Sequence, residues 1–437
     1  MKNLAGKQLI ILGGNQETGR IVELANSFGV YTIVVDPNPA APAKQFASEH
    51  HEIDGYDVER IVQLAQNLKV DGVMVGVADV LVSPYQQICE RLQFPCYASK
   101  ESVTAFNGKK GFKYACRHYG VQDIPGIIIE DKVSADDLLN VELPVMIKPV
   151  DNGGGVGMRI CHDLSEIGEH IETALSHSKQ SKILLEQYMS GDDMFAYYTF
   201  KDGKAYLSAT ADRITSKTQG ELSPVCIAAR YPSKHTDEYV KLINPKLLRM
   251  FEGLAVRDGV LLLQFFVEGD SFFAYDPGFR LQGEAPHVYL QEINGFDHRK
   301  MLIHFSLTGS MGTEDLDEMN DVNFHGKVAV TFWVLLKPGH IQEISGLDEI
   351  RNDPCVITIF QRLVAGNHVD PEMLGTERQV LARIYVVTNS IEELVQKSEE
   401  YRSKLKVVDE QGNNMLLEWV DPSLLLSMDE GLLERGR

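Results

Sequence analysis

The stretch from Leu143 to Cys161, LPVMIKPVDNGGGVGMRIC, constrains this chain more than any other. Pro144 through Ile147 form a short apolar run that ends in Lys148 and Pro149. Gly153, Gly154, Gly155 and Gly157 crowd the loop that follows, and Met158 to Cys161 resume the apolar pattern. A strand, a glycine loop and a second strand make a flap. Glycines leave the loop without side chains, so its backbone N–H groups can approach phosphate oxygens, and Lys148 adds a positive charge at the strand end. No GK[ST] follows, and the loop returns to a strand instead of opening a helix, which excludes the common phosphate-loop and dinucleotide fingerprints. On these residues alone, a plain glycine-rich hairpin with an exposed lysine is equally open.

The chain ahead of the flap alternates strand and helix. Leu9 to Leu12 are apolar and end at Gly13 and Gly14. Glu17 to Phe28 carry apolar residues at helical spacing, and Tyr31 to Val35 form a second strand ending in Asp36. An acidic residue after the second strand suits a dinucleotide site, but GGNQETG does not fit GxGxxG, so that signal is weak. With a helix over Val58 to Leu68, a strand over Gly72 to Val75 and a helix over Val80 to Leu92, the βαβ pattern predicts an open, doubly wound parallel sheet over residues 1–100.

A second unit starts near Ser99. Lys109, Lys110 and Lys113 lie on a predicted helix ending at Gly120, where Lys110 and Lys113 read as a solvated face. Strands follow at Ile127 to Ile129 and Ile183 to Leu185, with a helix through Leu164 to Leu175. Phe195 to Phe200 and Ala205 to Ala209 then pair as a hairpin across KDGK, because a central Asp-Gly suits a tight turn. The stretch LLLQFFVEGDSFFAYDPGFRLQGE, Leu261 to Glu284, reads as two strands joined at Glu268, Gly269 and Asp270. It sets Gln264 against Asp276, with Arg280 within reach. Opposed positions on paired strands can hold one metal ion. From about Met311 the strands read as short and the helices as sparse, an α+β unit over residues 311–437.

The 437 residues exceed what one core organises, and the formal charge of −20 excludes nucleic acid and anionic membranes as bulk partners. The six cysteines form no CxxC, which reads as free thiols in a reducing compartment. The apolar runs are too short for a signal-peptide core or a membrane span, so the expected location is cytoplasmic. None of the thirteen histidines has HExxH spacing, and His50, His51, His287 and His298 read as structural or solvated.

Together these pieces resemble the ATP-grasp superfamily, which includes biotin carboxylase, L-amino-acid ligases and carbamoyl phosphate synthetase. The first hundred residues look like its preATP-grasp domain. NGKKGFKYACRHYG, Asn107 to Gly120, resembles its first-lysine helix, and PVMIKPVDNGGGVG its second lysine and lid loop. EQYMSGDD resembles its adenine hinge, and DPGFRL its ExNxR magnesium signature. The resemblance implies a mixed α/β and α+β architecture in three parts. These are a preATP-grasp domain over residues 1–100, a two-lobed ATP-grasp domain over 101–310 with a lid subdomain over about 125–188, and a C-terminal α+β domain over 311–437.

The resemblance also implies roles. ATP and Mg2+ are the expected cofactors. Lys109 and Lys148 meet phosphate, and Gly153, Gly154, Gly155 and Gly157 close over it. Glu186, Gln187 and Met189 line the base, and Asp193 holds the ribose. Asp276 and Gln264 hold the metal, with Glu268 and Glu284 as reserves, and Arg280 acts beside Lys148 in catalysis. The pattern departs twice from the family signature, with Gln264 in place of a glutamate and Gly278 in place of an asparagine. The implied activity joins a small carboxylic acid, such as an amino acid, to an amine through an acylphosphate, releasing ADP. A bicarbonate-phosphorylating carboxylase or carbamoyl phosphate synthetase-like enzyme, and an ATP-binding protein without turnover, are the alternatives. Arg230, His287 and Arg299 are candidates for the acceptor pocket, with an exposed loop position equally open for Arg230. A homodimer is compatible with the resemblance.

Overall fold

The computed structural model describes residues 4–130, 143–150, 157–179, 181–216 and 224–426. At the N-terminus, β1 (Gln8–Leu12), α1 (Gln16–Ser27), β2 (Tyr31–Val35), β3 (Glu49–His51), α2 (Val58–Leu68), β4 (Gly72–Val75) and α3 (Val82–Leu92) form a parallel sheet in the order β3-β2-β1-β4. Leu9 to Leu12 and Val73 to Val75 are buried, as helix-covered parallel strands require, and this is why the sequence shows them as unbroken apolar runs. Asn15 caps α1 by accepting a hydrogen bond from the Thr18 N–H.

Two helices, α4 (Lys100–Phe106) and α5 (Lys109–His118), lead into a small antiparallel lobe. Its strands β5 (Gly126–Glu130), β6 (Val145–Pro149), β7 (Arg159–Cys161) and β8 (Lys182–Gln187) run in the order β5-β8-β6-β7, covered by α6 (Ile167–Ser176). The expected flap is the β6–β7 hairpin, with Val145 opposite Cys161 and Ile147 opposite Arg159. Ile129, Val145, Ile147, Cys161, Ile167, Ile171, Ala174, Ile183 and Leu185 form a core of their own, separate from the main one. Gly153, Gly154 and Gly155 lie outside the described residues.

The rest is built on one eight-stranded antiparallel sheet. In chain order, β9 (Asp192–Lys201), β10 (Lys204–Thr215), β11 (Cys226–Tyr231), β12 (Gly259–Glu268), β13 (Ser271–Gly278), β14 (Val328–Leu335), β16 (Val356–Gln361) and β18 (Val380–Thr388) arrange as β13-β12-β9-β10-β11-β14-β18-β16. The β9–β10 turn is the expected Asp-Gly pair, and both Asp202 and Gly203 take positive φ, as a tight hairpin turn demands. Strands from both sides of residue 311 share this sheet. The strands beyond it are not all short: β14 has 8 residues and β18 has 9, and β14 pairs directly with β11. The last portion adds β15 (Gly339–Ser345), flanked by β17 (His368–Val369) and β19 (Lys406–Asp409), and a helix α7 (Ile391–Lys404).

The N-terminal sheet and the eight-stranded sheet share one buried core. Tyr97 stacks edge-on against Phe279 at 5.1 Å between ring centroids, and its hydroxyl donates to the Phe279 carbonyl at 3.3 Å. That contact seats the segment between Asp276 and Arg280 against the stretch that follows α3. Among the described residues, no helix is long and apolar enough to cross a membrane.

Candidate active site

A cavity of about 690 Å³ opens between the small lobe and the eight-stranded sheet. Lys109, Lys148, Glu186, Gln187, Met189, Asp193, Gln264, Asp276 and Arg280 all contribute to its lining. Residues spread over more than 170 positions of sequence therefore meet at one site, because α5, the flap, the hinge after β8 and the β12–β13 hairpin all border it.

The hairpin supplies the acid. Gln264 on β12 pairs in register with Asp276 on β13, as expected, with an irregularity just beyond at Phe265. Asp276 faces the cavity. Its side chain is open to the cavity, yet the protein packed around it pushes the carboxyl above the usual aspartate range, while Lys109 and Lys148 pull it down and Asp79 pushes it up again. Among the described residues no group of three or more His, Cys, Asp or Glu side chains could surround a metal ion. One carboxylate and one carboxamide are hard oxygen donors, and magnesium keeps several waters and takes phosphate oxygens as ligands, so the pair fits one such ion shared with a nucleotide. Glu268 is exposed at the hairpin end, whereas Glu284 lines the cavity.

Arg280 is held from three directions. It pairs with the Asp79 carboxylate and donates to the Leu281 carbonyl at 2.9 Å and to Gln282 Oε1 at 2.7 Å. Gln282 in turn donates to the Gly278 carbonyl at 2.7 Å. A Cβ at position 278 would lie 3.1 Å from Gln282 Oε1 and 3.4 Å from Asp79 Oδ1, so the glycine leaves room for this clamp. Asp79 itself sits just past the carboxyl end of β4.

The lysines are positioned differently. Lys109 donates to the Pro149 carbonyl at 2.9 Å, which joins the first turn of α5 to the end of the flap strand. Lys148 lies 2.5 Å from Glu186 Oε2. The other oxygen of Glu186 is 2.7 Å from Lys113, which also lies 3.1 Å from Asp123. Lys113 is thus buried, correcting the solvated-face reading, while Lys110 is exposed as expected. Burial alone would raise the Glu186 carboxyl, but Lys148 and then Lys113 hold it below the usual glutamate range.

The hinge differs from expectation in its side chains. Both Glu186 oxygens face lysines, so this carboxylate is committed before any base arrives. The Gln187 N–H donates to the Pro125 carbonyl at 2.9 Å, its side chain is exposed, and Met189 is buried at the cavity wall. Asp193 accepts from Arg213 at 2.6 Å and from the Tyr275 hydroxyl at 2.9 Å. Burial pushes its carboxyl up and Arg213 opposes the shift. A ribose reaching Asp193 would have to share it with those two donors.

Arg230, His287 and Arg299 do not line the cavity. Arg230 is buried on β11, not exposed in a loop, and donates to the Leu425 carbonyl at 3.2 Å. Arg299 pairs with Asp297 at 2.7 Å. His287 and His298 are buried, and burial lowers both imidazoles, His298 to about 4. Two cavity residues, Asp79 and Arg213, and one behind its wall, Lys113, escape a local reading of the sequence. Asp79 follows a parallel strand at its carboxyl end, where such sheets bind ligands, and that signal was available. Arg213 opposes Asp193 in the β9–β10 register, which counting outward from the Asp-Gly turn would have found.

Comparison with known proteins agrees with this architecture. Residues 109–209 match the family described as carbamoyl-phosphate synthase L chain, ATP binding domain, and residues 7–103 match the ribonucleotide synthetase preATP-grasp domain. A phosphoribosylamine–glycine ligase of Lactococcus lactis is 22% identical over 275 residues, covering 61% of this chain and 66% of that protein. The chain spans less than two thirds of the length of the curated relatives it matches first. Among solved structures, the L-amino acid ligase of Bacillus licheniformis superposes with a TM-score of 0.75 at 16% identity, over 93% of this chain and 99% of that one. The biotin carboxylase domain of the Hydrogenobacter thermophilus 2-oxoglutarate carboxylase gives 0.72 at 15% identity, over 99% and 95%. In its fold and its two matched segments the chain is similar to ATP-grasp enzymes, with a preATP-grasp-like region ahead of a region like their ATP-binding domain.

Proposed function

We propose that this chain is an ADP-forming ligase that uses Mg·ATP to join a small carboxylic acid to an amine through an acylphosphate. The observation that carries the reading is the convergence of three cations, Lys109, Lys148 and Arg280, with Asp276 and Gln264 in one cavity of about 690 Å³. Phosphoryl transfer needs little covalent help from protein. In-line positioning and neutralisation of the spreading charge supply most of the catalysis.

In this reading the substrate carboxylate attacks the γ-phosphorus, ADP leaves, and the amine then displaces phosphate from the acylphosphate. Lys109 and Lys148 neutralise phosphate oxygens, and Arg280, fixed by Asp79 and Gln282, stabilises the transferring group. Asp276 and Gln264 hold one magnesium ion, which supplies further charge neutralisation when bound. Gln187 and Met189 border the base. The division at residues 100 and 310, with a lid over about 125–188, is part of the same proposal. The six free thiols suit a cytoplasmic enzyme.

The substrate class is supported by the relatives. One is named for joining phosphoribosylamine to glycine, and a structural neighbour is named an L-amino acid ligase. The test is a screen of Mg·ATP with amino acids, other small acids, bicarbonate and amines, following ADP, AMP and phosphate. ADP and phosphate released only when one acid and one amine are both present is the expected result. Turnover with bicarbonate as the sole acid would move the reading to a carboxylase, and AMP formation or no turnover in any mixture would refute it.

A further inference from the structure

Glu186 is shared between two lysines, and the mechanism above uses only one of them. Lys113 projects from α5 behind the cavity wall, 2.7 Å from Glu186 Oε1, and donates to the Ile124 carbonyl at 2.5 Å. Its other acidic neighbour, Asp123, is also paired with Arg117 at 2.9 Å. Lys113, Lys148 and Glu186 are 9%, 8% and 1% exposed, so water screens these charges little. A buried carboxylate bearing on one lysine alone would neutralise it and hold it back from phosphate. Divided between two lysines, the same carboxylate leaves the group Lys148–Glu186–Lys113 with one net positive charge.

We propose that Lys113 is a positioning residue for Lys148: by taking half of Glu186, it lets Lys148 stay anchored at the flap strand while the buried group keeps a net positive charge to meet a nucleotide phosphate. Lys113 does not line the cavity. The inference rests on the nucleotide reading of the cavity. Its rival is a purely structural lysine that ties α5 to the start of β5.

Two measurements on the intact chain separate them. The first is the rate at which acetic anhydride acetylates Lys148 at fixed pH, read by mass spectrometry, which needs no nucleotide. Lys113→Met gives Glu186 wholly to Lys148, so acetylation should slow by about tenfold. Glu186→Gln should give the fastest rate, and the Lys113→Met/Glu186→Gln double variant should fall between Glu186→Gln and the wild type. Lys113→Arg, which keeps the charge, should match the wild type.

The second measurement is Mg·ATP affinity, which should weaken in Lys113→Met and recover in the double variant. A structural lysine would instead lower the melting temperature of Lys113→Met without moving Lys148 acetylation, and the double variant would bring no recovery of affinity. Either result overturns the proposal. If Lys113→Met does not fold, the comparison of Glu186→Gln with the double variant decides: equal Lys148 rates there overturn it. A wild type that binds no Mg·ATP would refute the proposed function, while the acetylation series would still decide the role of Lys113.

Discussion

Lys148 stands where two demands meet. It must be held still by Glu186, and it must present charge to a phosphate. Replacing it with alanine removes a hydrogen bond to a charged group, worth ~1.5–3 kcal/mol, so the Michaelis constant for ATP should rise by about tenfold or more. Steady-state kinetics with varied Mg·ATP checks this, and unchanged constants would remove Lys148 from the site. Asp276 faces the opposite problem. The protein packed around it raises its carboxyl, yet magnesium needs the ionised form. Metal-dependent turnover should therefore fall as pH drops through a value above the ordinary aspartate pKa of about 3.9. Asp276→Asn should abolish that acid limb and cost more than about tenfold in magnesium affinity, since even outer-shell partners of a metal cost 10–100-fold. A pH–rate profile of both proteins, with magnesium titrations, tests the pair of expectations.

At the scale of elements, the small lobe has a core separate from the rest, so its flap can answer to local changes. Gly157 holds φ at +75°, and a Cβ there would lie 2.8 Å from His177 Cβ and 3.0 Å from Pro149 Cγ. Gly157→Ala adds both strain and overlap, and should destabilise the lobe by ~1–3 kcal/mol. Hydrogen exchange should then quicken in β6 and β7 while β1 stays protected. Equal protection in both would contradict the separation of the cores.

Elements were legible in the sequence where their cause is local. β1, β2 and β4 read as apolar runs because nearly all their side chains, on both faces of the sheet, are buried. The Asp202–Gly203 turn announced its hairpin, and Gln264 opposite Asp276 followed from a short turn. What was not legible depends on distant partners. Lys113 looked solvated because Glu186 lies 73 positions away, and the portion after residue 311 looked like a unit of short strands because β14 finds its partner, β11, about 100 positions earlier. Arg230 looked like a loop residue for the same reason. Asp193, expected at a ribose, also accepts from Arg213 and Tyr275, partners that only the fold reveals.

At the scale of the molecule, Arg383 on β18 ties three regions together. It is 1% exposed, pairs with Glu17 on α1, and donates to the Gly283 carbonyl beside the site. Arg383→Met leaves buried Glu17 with the Arg20 ion pair at 3.4 Å among the described residues, and breaking such a buried pair costs ~3–5 kcal/mol. Denaturant unfolding of this variant should show that loss, and a change below ~1 kcal/mol would contradict it.

The account stands most directly on the cavity being a nucleotide site. Calorimetric titration of Mg·ATP into the wild type and into the Lys109→Ala/Lys148→Ala variant tests that claim without knowledge of the acid or the amine. One nucleotide bound per chain, lost or severely weakened when both lysines are removed, is the predicted result. No binding to the wild type, or binding indifferent to the loss of both lysines, would contradict it.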